Sequence, residues 1–220
     1  MFPDSKNTLD VFDVAVPKES IFKLFNNKKL ILCENKDDEF YNMLALPQSL
    51  FLGVRDKNEV FLFAKREPRY KGLMDRDFLT KDEIKKVSRK YPNLHILRYY
   101  CFENYLYHPN NLAELITNFD KKAYIANIER QKEDKKMKIV AEIKTVRNSY
   151  AILREDELRD KNIDTIVSAF SSNDFEMYYP FFDMKSKFSK EAIAPYNVSK
   201  KQLASTLWFK QQISSLLEVS

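Results

Sequence analysis

Residues 30–41 read LILCENKDDEFY, and the fold turns on how this stretch divides. Leu30 to Cys33 is a short, unbroken apolar run of the kind that makes a buried strand, and it stops abruptly at Glu34-Asn35. Asn35 to Asp38 are residues that cap helices, and Glu39 to Leu46 then reads as a short helix ended by Pro47. Working outward, Ser49–Arg55 (SLFLGVR) predicts a second strand. Glu59–Lys65 (EVFLFAK) fits strand or helix by periodicity, and is assigned as the helix that crosses over to the next strand. Tyr70–Met74 (YKGLM) predicts a third strand that runs into Asp75-Arg76-Asp77. Thr80 with Glu83 forms a capping box that opens a helix stopping near Tyr91-Pro92. Leu94–Tyr100 (LHILRYY) predicts a fourth strand, followed by Glu103-Asn104-Tyr105-Leu106.

Strands alternating with helices imply an α/β fold, with a mostly parallel sheet flanked by helices. Residues 1–27 read as an irregular leader, 28–110 as the α/β core and 111–220 as a mainly helical C-terminal region. Ser199 to Glu218 reads as one amphipathic helix.

Composition narrows the function classes. The chain has 220 residues, 37 Lys and Arg against 32 Asp and Glu, and a net charge of +5, a mild excess that suits a phosphate-bearing partner without requiring one. Only 2 glycines are present, so neither a P-loop nor a dinucleotide fingerprint can be built. Cys33 and Cys101 are too few for a disulfide framework or a zinc site and read as buried small hydrophobes. The N-terminus lacks signal-peptide features, and no stretch approaches the ~20 apolar residues that span a bilayer. The expectation is a cytoplasmic protein with no membrane association.

The chemistry-bearing pattern is acidic. Functional groups gather at the carboxyl ends of parallel strands, and four acids fall there: Glu34 after the first strand, Asp75 and Asp77 after the third, Glu103 after the fourth. Such carboxylates repel one another, and a divalent cation with oxygen ligands is the natural means of holding them together. In extended chain, the two aspartates of Asp-x-Asp point the same way and can face one metal. The bland alternative is that these acids are helix caps and solvated loop residues.

LILCENKDDEFY, YKGLMDRDF (70–78) and LRYYCFENYL (97–106) together resemble the Toprim-like, OLD-related nucleases that accompany ABC- or AAA-class ATPases in bacterial anti-phage defence, the nuclease subunits of PARIS systems among them. The resemblance covers roughly residues 28–108. It implies Glu34 as the acid/base or metal-site glutamate, Asp75 and Asp77 as metal ligands, Glu103 in the family's ENYL element, and Lys185 in FFDMKSKF as the late lysine near the metals. The family's first strand ends Glu-Gly; here it ends Glu34-Asn35, and Asn tolerates left-handed backbone better than most residues. The resemblance further implies Mg²⁺ (or Mn²⁺), phosphodiester hydrolysis of RNA (tRNA ahead of DNA) and an ATPase partner that restrains or triggers the activity. A DNA-nicking enzyme and a catalytically inactive module that binds only the ATPase stay open, as does a homodimer through the aromatic-rich C-terminal region.

Two further features carry expectations. Segment 121–147 places Lys121, Lys122, Arg130, Lys132, Lys135, Lys136, Lys138, Lys144 and Arg147 against four acids, a stripe that would grip phosphates or simply face water. Tyr178-Tyr179-Pro180-Phe181-Phe182 suits core packing better than base stacking. His95 reads as structural, and His108 lies close enough to Glu103 in sequence to be tested.

Overall fold

The computed structural model describes residues 28–160, 162–185 and 191–218, so the leader assigned to residues 1–27 lies outside the described residues. Four strands, β1 (Lys29–Glu34), β2 (Ser49–Val54), β3 (Lys71–Met74) and β4 (Leu94–Ile96), form one sheet in the order β2-β1-β3-β4. All three pairings are parallel, with Cys33 opposite Gly53, Leu32 opposite Gly72 and Met74 opposite Ile96. The α/β class follows from the alternation read in the sequence.

Crossovers supply the flanking helices α1 (Asp38–Tyr41), α2 (Lys57–Arg66) and α3 (Lys81–Lys90). The ambiguous segment EVFLFAK lies in α2. Asp56 caps it by accepting the Glu59 N–H at 3.0 Å, and Val60, Phe61 and Ala64 are buried one turn apart. Helix α3 has the expected capping box: Thr80 Oγ1 accepts the Glu83 N–H, and the Glu83 carboxylate accepts the Thr80 N–H.

Strand β4 is shorter than LHILRYY predicts. Its only strand neighbour among the described residues, β3, ends at Met74, whose carbonyl accepts the Leu97 N–H at 2.9 Å. The Arg98 N–H then goes to the Tyr105 hydroxyl at 2.7 Å, so the ladder has no further partner.

Further helices are α4 (Phe102–Leu106), α5 (Pro109–Leu115), the long α6 (Lys121–Asn148), α7 (Asp164–Ser171), α8 (Phe175–Tyr178), α9 (Lys200–Ser205) and α10 (Leu207–Glu218). The last two correct the single C-terminal helix expected from the sequence. Thr206 leaves helical geometry, its hydroxyl bonds Asn111 Oδ1 and Leu203 O, and the Glu114 carboxylate accepts the Leu207 and Trp208 N–H groups at 2.7 and 2.9 Å. A side chain from α5 therefore starts a second helix at a point where amphipathic periodicity shows no break.

Strand β1 feeds two cores through its period-2 alternation. Ile31 and Cys33 join Phe102, Phe170, Phe182, Phe209 and Ile213 on one face, while Leu30 and Leu32 join Val60, Leu79, Val87 and Tyr150 on the other. Helix α6 is tied to α3 through a buried bidentate pair: Arg147 reaches the two Glu83 oxygens at 2.6 and 2.8 Å and donates to the Phe78 carbonyl at 2.6 Å. Cys33 and Cys101 are buried and unbridged. No helix among the described residues is long and apolar enough to cross a membrane.

Candidate functional site

The carboxyl rim of the sheet is shaped by two left-handed residues. Asn35, directly after Glu34, has φ 51°, and its N–H bonds the Val54 carbonyl at 2.6 Å. This pulls the turn against β2 so closely that a Cβ on Gly53 would lie 1.8 Å from the Asn35 oxygen. Gly53 is therefore what lets Glu34 leave the sheet where it does. Asp77 has φ 47°, with its N–H on the Tyr100 carbonyl at 2.8 Å. The Asp-x-Asp stretch is thus not extended, as its spacing suggested, but kinked at its second aspartate, a strained geometry for a non-glycine residue.

Glu34, Asp75 and Asp77 meet at this rim, each less than a tenth exposed. Glu34 Oε1 accepts the Asp75 N–H at 2.9 Å, which joins the ends of β1 and β3, and Asp75 Oδ1 accepts the Phe102 N–H at 3.2 Å. Burial, with the neighbouring negative charges, raises the pKa of both Glu34 and Asp75. Two lysines answer that charge: Lys185 pairs with Asp75 Oδ2, and Lys57 pairs with Asp77 Oδ2. Burial works against the Lys185 ammonium, but Asp75 and Glu34 outweigh it and its pKa is raised. Lys185, remote in sequence, thus lies on the acidic cluster.

Glu103 sits outside this trio. Lys200 holds its Oε1 at 2.9 Å, and its Oε2 is buried without a partner. Its neighbour Asn104 is a structural pin that donates to the Phe182 carbonyl at 2.8 Å and accepts from Cys101. Sequence reasoning missed three contributors. Lys57 follows β2 and could have been found by the same strand-end logic as Glu34. Asp37, pushed up to about 7 by burial and then by Asp75 and Glu103, was assigned only as a capping residue. Asp183, raised by burial, accepts the Lys185 N–H at 2.7 Å and stands two residues before that lysine.

Both histidines are structural in their surroundings. His108 is stacked on Trp208 with ring centroids 4.5 Å apart, accepts the Asn110 N–H at 3.1 Å, and is pushed down to about 3 by burial, then by Lys121 and Arg98. Burial likewise lowers the pKa of His95. Tyr178, Tyr179 and Phe182 are buried and pack the core.

The basic stripe of α6 loses two members. Lys132 is buried and donates to the Ser172 carbonyl at 2.6 Å, and Arg147 is spent on Glu83. Lys135 and Lys138, by contrast, line a cavity of about 460 Å³ shared with Phe78, Tyr100, Phe182 and Asp183, so they lie across it from the immediate chain neighbour of Asp77.

The donor chemistry fits a hard divalent cation, being carboxylate oxygen throughout. In the arrangement seen, Lys57 and Lys185 take carboxylate oxygens, and among the described residues no group of three His, Cys, Asp or Glu side chains is set to hold a metal ion. A cation would therefore displace these lysines from Asp75 and Asp77. No protein-family model, no curated protein and no solved structure matches this chain.

Proposed function

We propose that this chain is a divalent-cation-dependent phosphodiesterase, a nuclease whose centre is Glu34, Asp75 and Asp77. One observation carries the reading: carboxylates from strands far apart in sequence meet at a parallel-sheet rim, buried, with Glu34 bonded to the backbone of Asp75 at 2.9 Å. Gathering such charge costs stability, and proteins accept that cost chiefly at functional sites. Asp75 and Asp77 would hold Mg²⁺ or Mn²⁺, with Glu34 as a third ligand or the acid/base group. When bound, the ion supplies Lewis acidity toward a phosphate and lowers the pKa of a coordinated water.

The chain's own residues do the rest. Lys185 and Lys57, released from the carboxylates, stand ready to offset charge developing on the phosphate oxygens. Glu103, held by Lys200, would complete the shell or orient a ligand from beside the cluster. Lys135 and Lys138 would lead a nucleic-acid backbone toward the rim. The resemblance read from the sequence sets RNA, tRNA first, as the substrate and an ABC- or AAA-class ATPase as the partner.

A second reading has its own support. The Lys57–Asp77 and Lys185–Asp75 pairs offset two of the three carboxylates without any metal, as an inactive module that only binds an ATPase would need. The two separate in one assay. Purified protein is incubated with Mg²⁺ or Mn²⁺ and either total RNA or supercoiled DNA, beside Glu34→Ala. Cleavage that requires metal and vanishes in the variant supports the nuclease. Equal cleavage by both proteins would overturn it, and no cleavage by wild type with partner binding retained favours the inactive module.

A further inference from the structure

A second cavity, of about 740 Å³, lies beside the N-terminus of α3 and shares none of its lining with Glu34, Asp75 or Asp77. Its volume falls in the range of small-molecule sites, ~300–1,000 Å³. Its wall contains Arg76, a residue only 2% exposed whose guanidinium lies 4.3 Å over the Phe181 ring. Two of its nitrogens are committed, Nε to the Leu79 carbonyl at 2.9 Å and Nη1 to the Arg98 carbonyl at 2.8 Å. The third, Nη2, is buried with no acceptor. A buried, unanswered donor on a permanent cation is costly unless something meets it.

The cavity's charge balance points the same way. Its three carboxylates are already answered: Asp82 by Lys85 at 3.2 Å, Asp160 by Lys86 at 2.8 Å and Glu176 by Arg98 at 3.6 Å. Of its four cations, only Lys85 is paired in this way. Arg76 meets only carbonyls, Arg159 bonds the neutral Asn148 side chain, and Lys81 forms no ion pair among the described residues. Thr80, Lys81 and Asp82, the cap and first turn of the ten-residue α3, face the same space, and a helix N-terminus favours an anion there. Met177, Pro180 and Phe181 form an apolar wall, with Asn162 and Thr165 as polar groups beside it.

We propose that this cavity binds a nucleoside phosphate, its phosphate between Arg76, Lys81 and the first turn of α3, and its base against Phe181, Pro180 and Met177. This mode needs no glycine-rich loop, in keeping with a chain of 2 glycines. Nη2 is sealed behind the cavity wall as the chain stands, so a small turn of the guanidinium would bring it to the phosphate, and the ribose and base edges would meet Asn162, Thr165 and the carboxylates. Because Arg76 stands between Asp75 and Asp77, the cavity is one residue from the acidic rim yet opens on another side.

The test is equilibrium dialysis of the full chain with AMP, adenosine and inorganic phosphate, in EDTA so that no divalent cation at the rim contributes. The variants are Lys81→Glu, Met177→Trp and Arg76→Met. AMP is expected to bind at least about tenfold more tightly than adenosine or inorganic phosphate, the worth of one charged hydrogen bond. Lys81→Glu and Met177→Trp, at the cavity's edge and remote from the core, should each weaken AMP by a similar factor, and Arg76→Met by more. Because Arg76→Met also removes two carbonyl bonds, Lys81→Glu and Met177→Trp decide if it misfolds. No AMP binding at millimolar concentration, AMP binding unchanged in Lys81→Glu and Met177→Trp, or phosphate binding as tightly as AMP would each overturn the proposal.

Discussion

Replacing Gly53 by Ala puts a methyl group where the Glu34-Asn35 turn already is. Its carbon would lie 1.8 Å from the Asn35 oxygen, 3.0 Å from the Asn35 carbonyl carbon and 3.2 Å from Asp38 Oδ1. The first two are backbone atoms that no rotamer change can move aside, and Asn35 is tied to Val54 by a 2.6 Å bond. The turn must recede by more than an ångström, carrying Glu34 with it. Overpacking of this kind costs about 1–3 kcal/mol, and a backbone obstacle puts it at the upper end. For a chain of this length about 3 kcal/mol is a fall of roughly 6–12 °C in Tm. Gly72→Ala is the control. Its methyl would meet Leu94 Cδ1 at 2.7 Å and Val60 Cγ1 at 2.9 Å, side-chain atoms of which the leucine can turn aside while the stiffer valine must shift by a few tenths of an ångström with its helix. Calorimetry should therefore rank Gly53→Ala as the more damaging, although Gly72 is the more buried of the two. A Gly53→Ala protein as stable as wild type, or a Gly72→Ala protein less stable than it, would refute the claim that close approach at Gly53 sets the turn.

Arg147→Met strands the buried Glu83 carboxylate and should cost about 3–5 kcal/mol in a urea titration, whereas Arg147→Met with Glu83→Leu should recover only part of it, because Glu83 also accepts the Thr80 and Asp160 N–H groups; a double variant no better than the single would contradict this. Asp37 gives a pH signature. Its carboxyl is raised from 3.8 to about 7 in the fold, so the folded chain keeps a proton that the unfolded chain releases between those values, and stability falls as pH rises through that window. Asp37→Asn should flatten that fall in urea midpoints taken across the window, and an unchanged slope would exclude Asp37 as its source. If α6 guides nucleic acid, Lys135→Ala with Lys138→Ala should make the slope of log affinity against log salt shallower by about 1.4 for single strands. A slope equal to that of wild type would remove those lysines from the interface.

The sheet is legible in the sequence because its strands are short apolar runs with polar stops, and the strand-end rule places Glu34, Asp75 and Asp77 at one rim. Where the sequence misled, a tertiary partner decided the outcome. β4 stops when β3 runs out of carbonyls, and the C-terminal helix divides where Glu114 caps it, neither of which periodicity can register. At the site, strand-end reasoning applied to β2 would have reached Lys57, but the kink at Asp77 depends on Tyr100 from a neighbouring segment. The α6 stripe misled for the opposite reason. Lys132 and Arg147 look like their solvated neighbours in sequence and differ only in what they meet when buried.

If the rim is a metal centre, Asp75 and Asp77 exchange their lysine partners for a divalent cation beside Glu34. Electron paramagnetic resonance of added Mn²⁺ reads this directly, since the free ion's signal is lost on binding. Saturable uptake by wild type that is abolished in Asp75→Asn, with both proteins folded by circular dichroism, is the predicted result. Equal uptake by the two, or none by wild type at millimolar Mn²⁺, would contradict it.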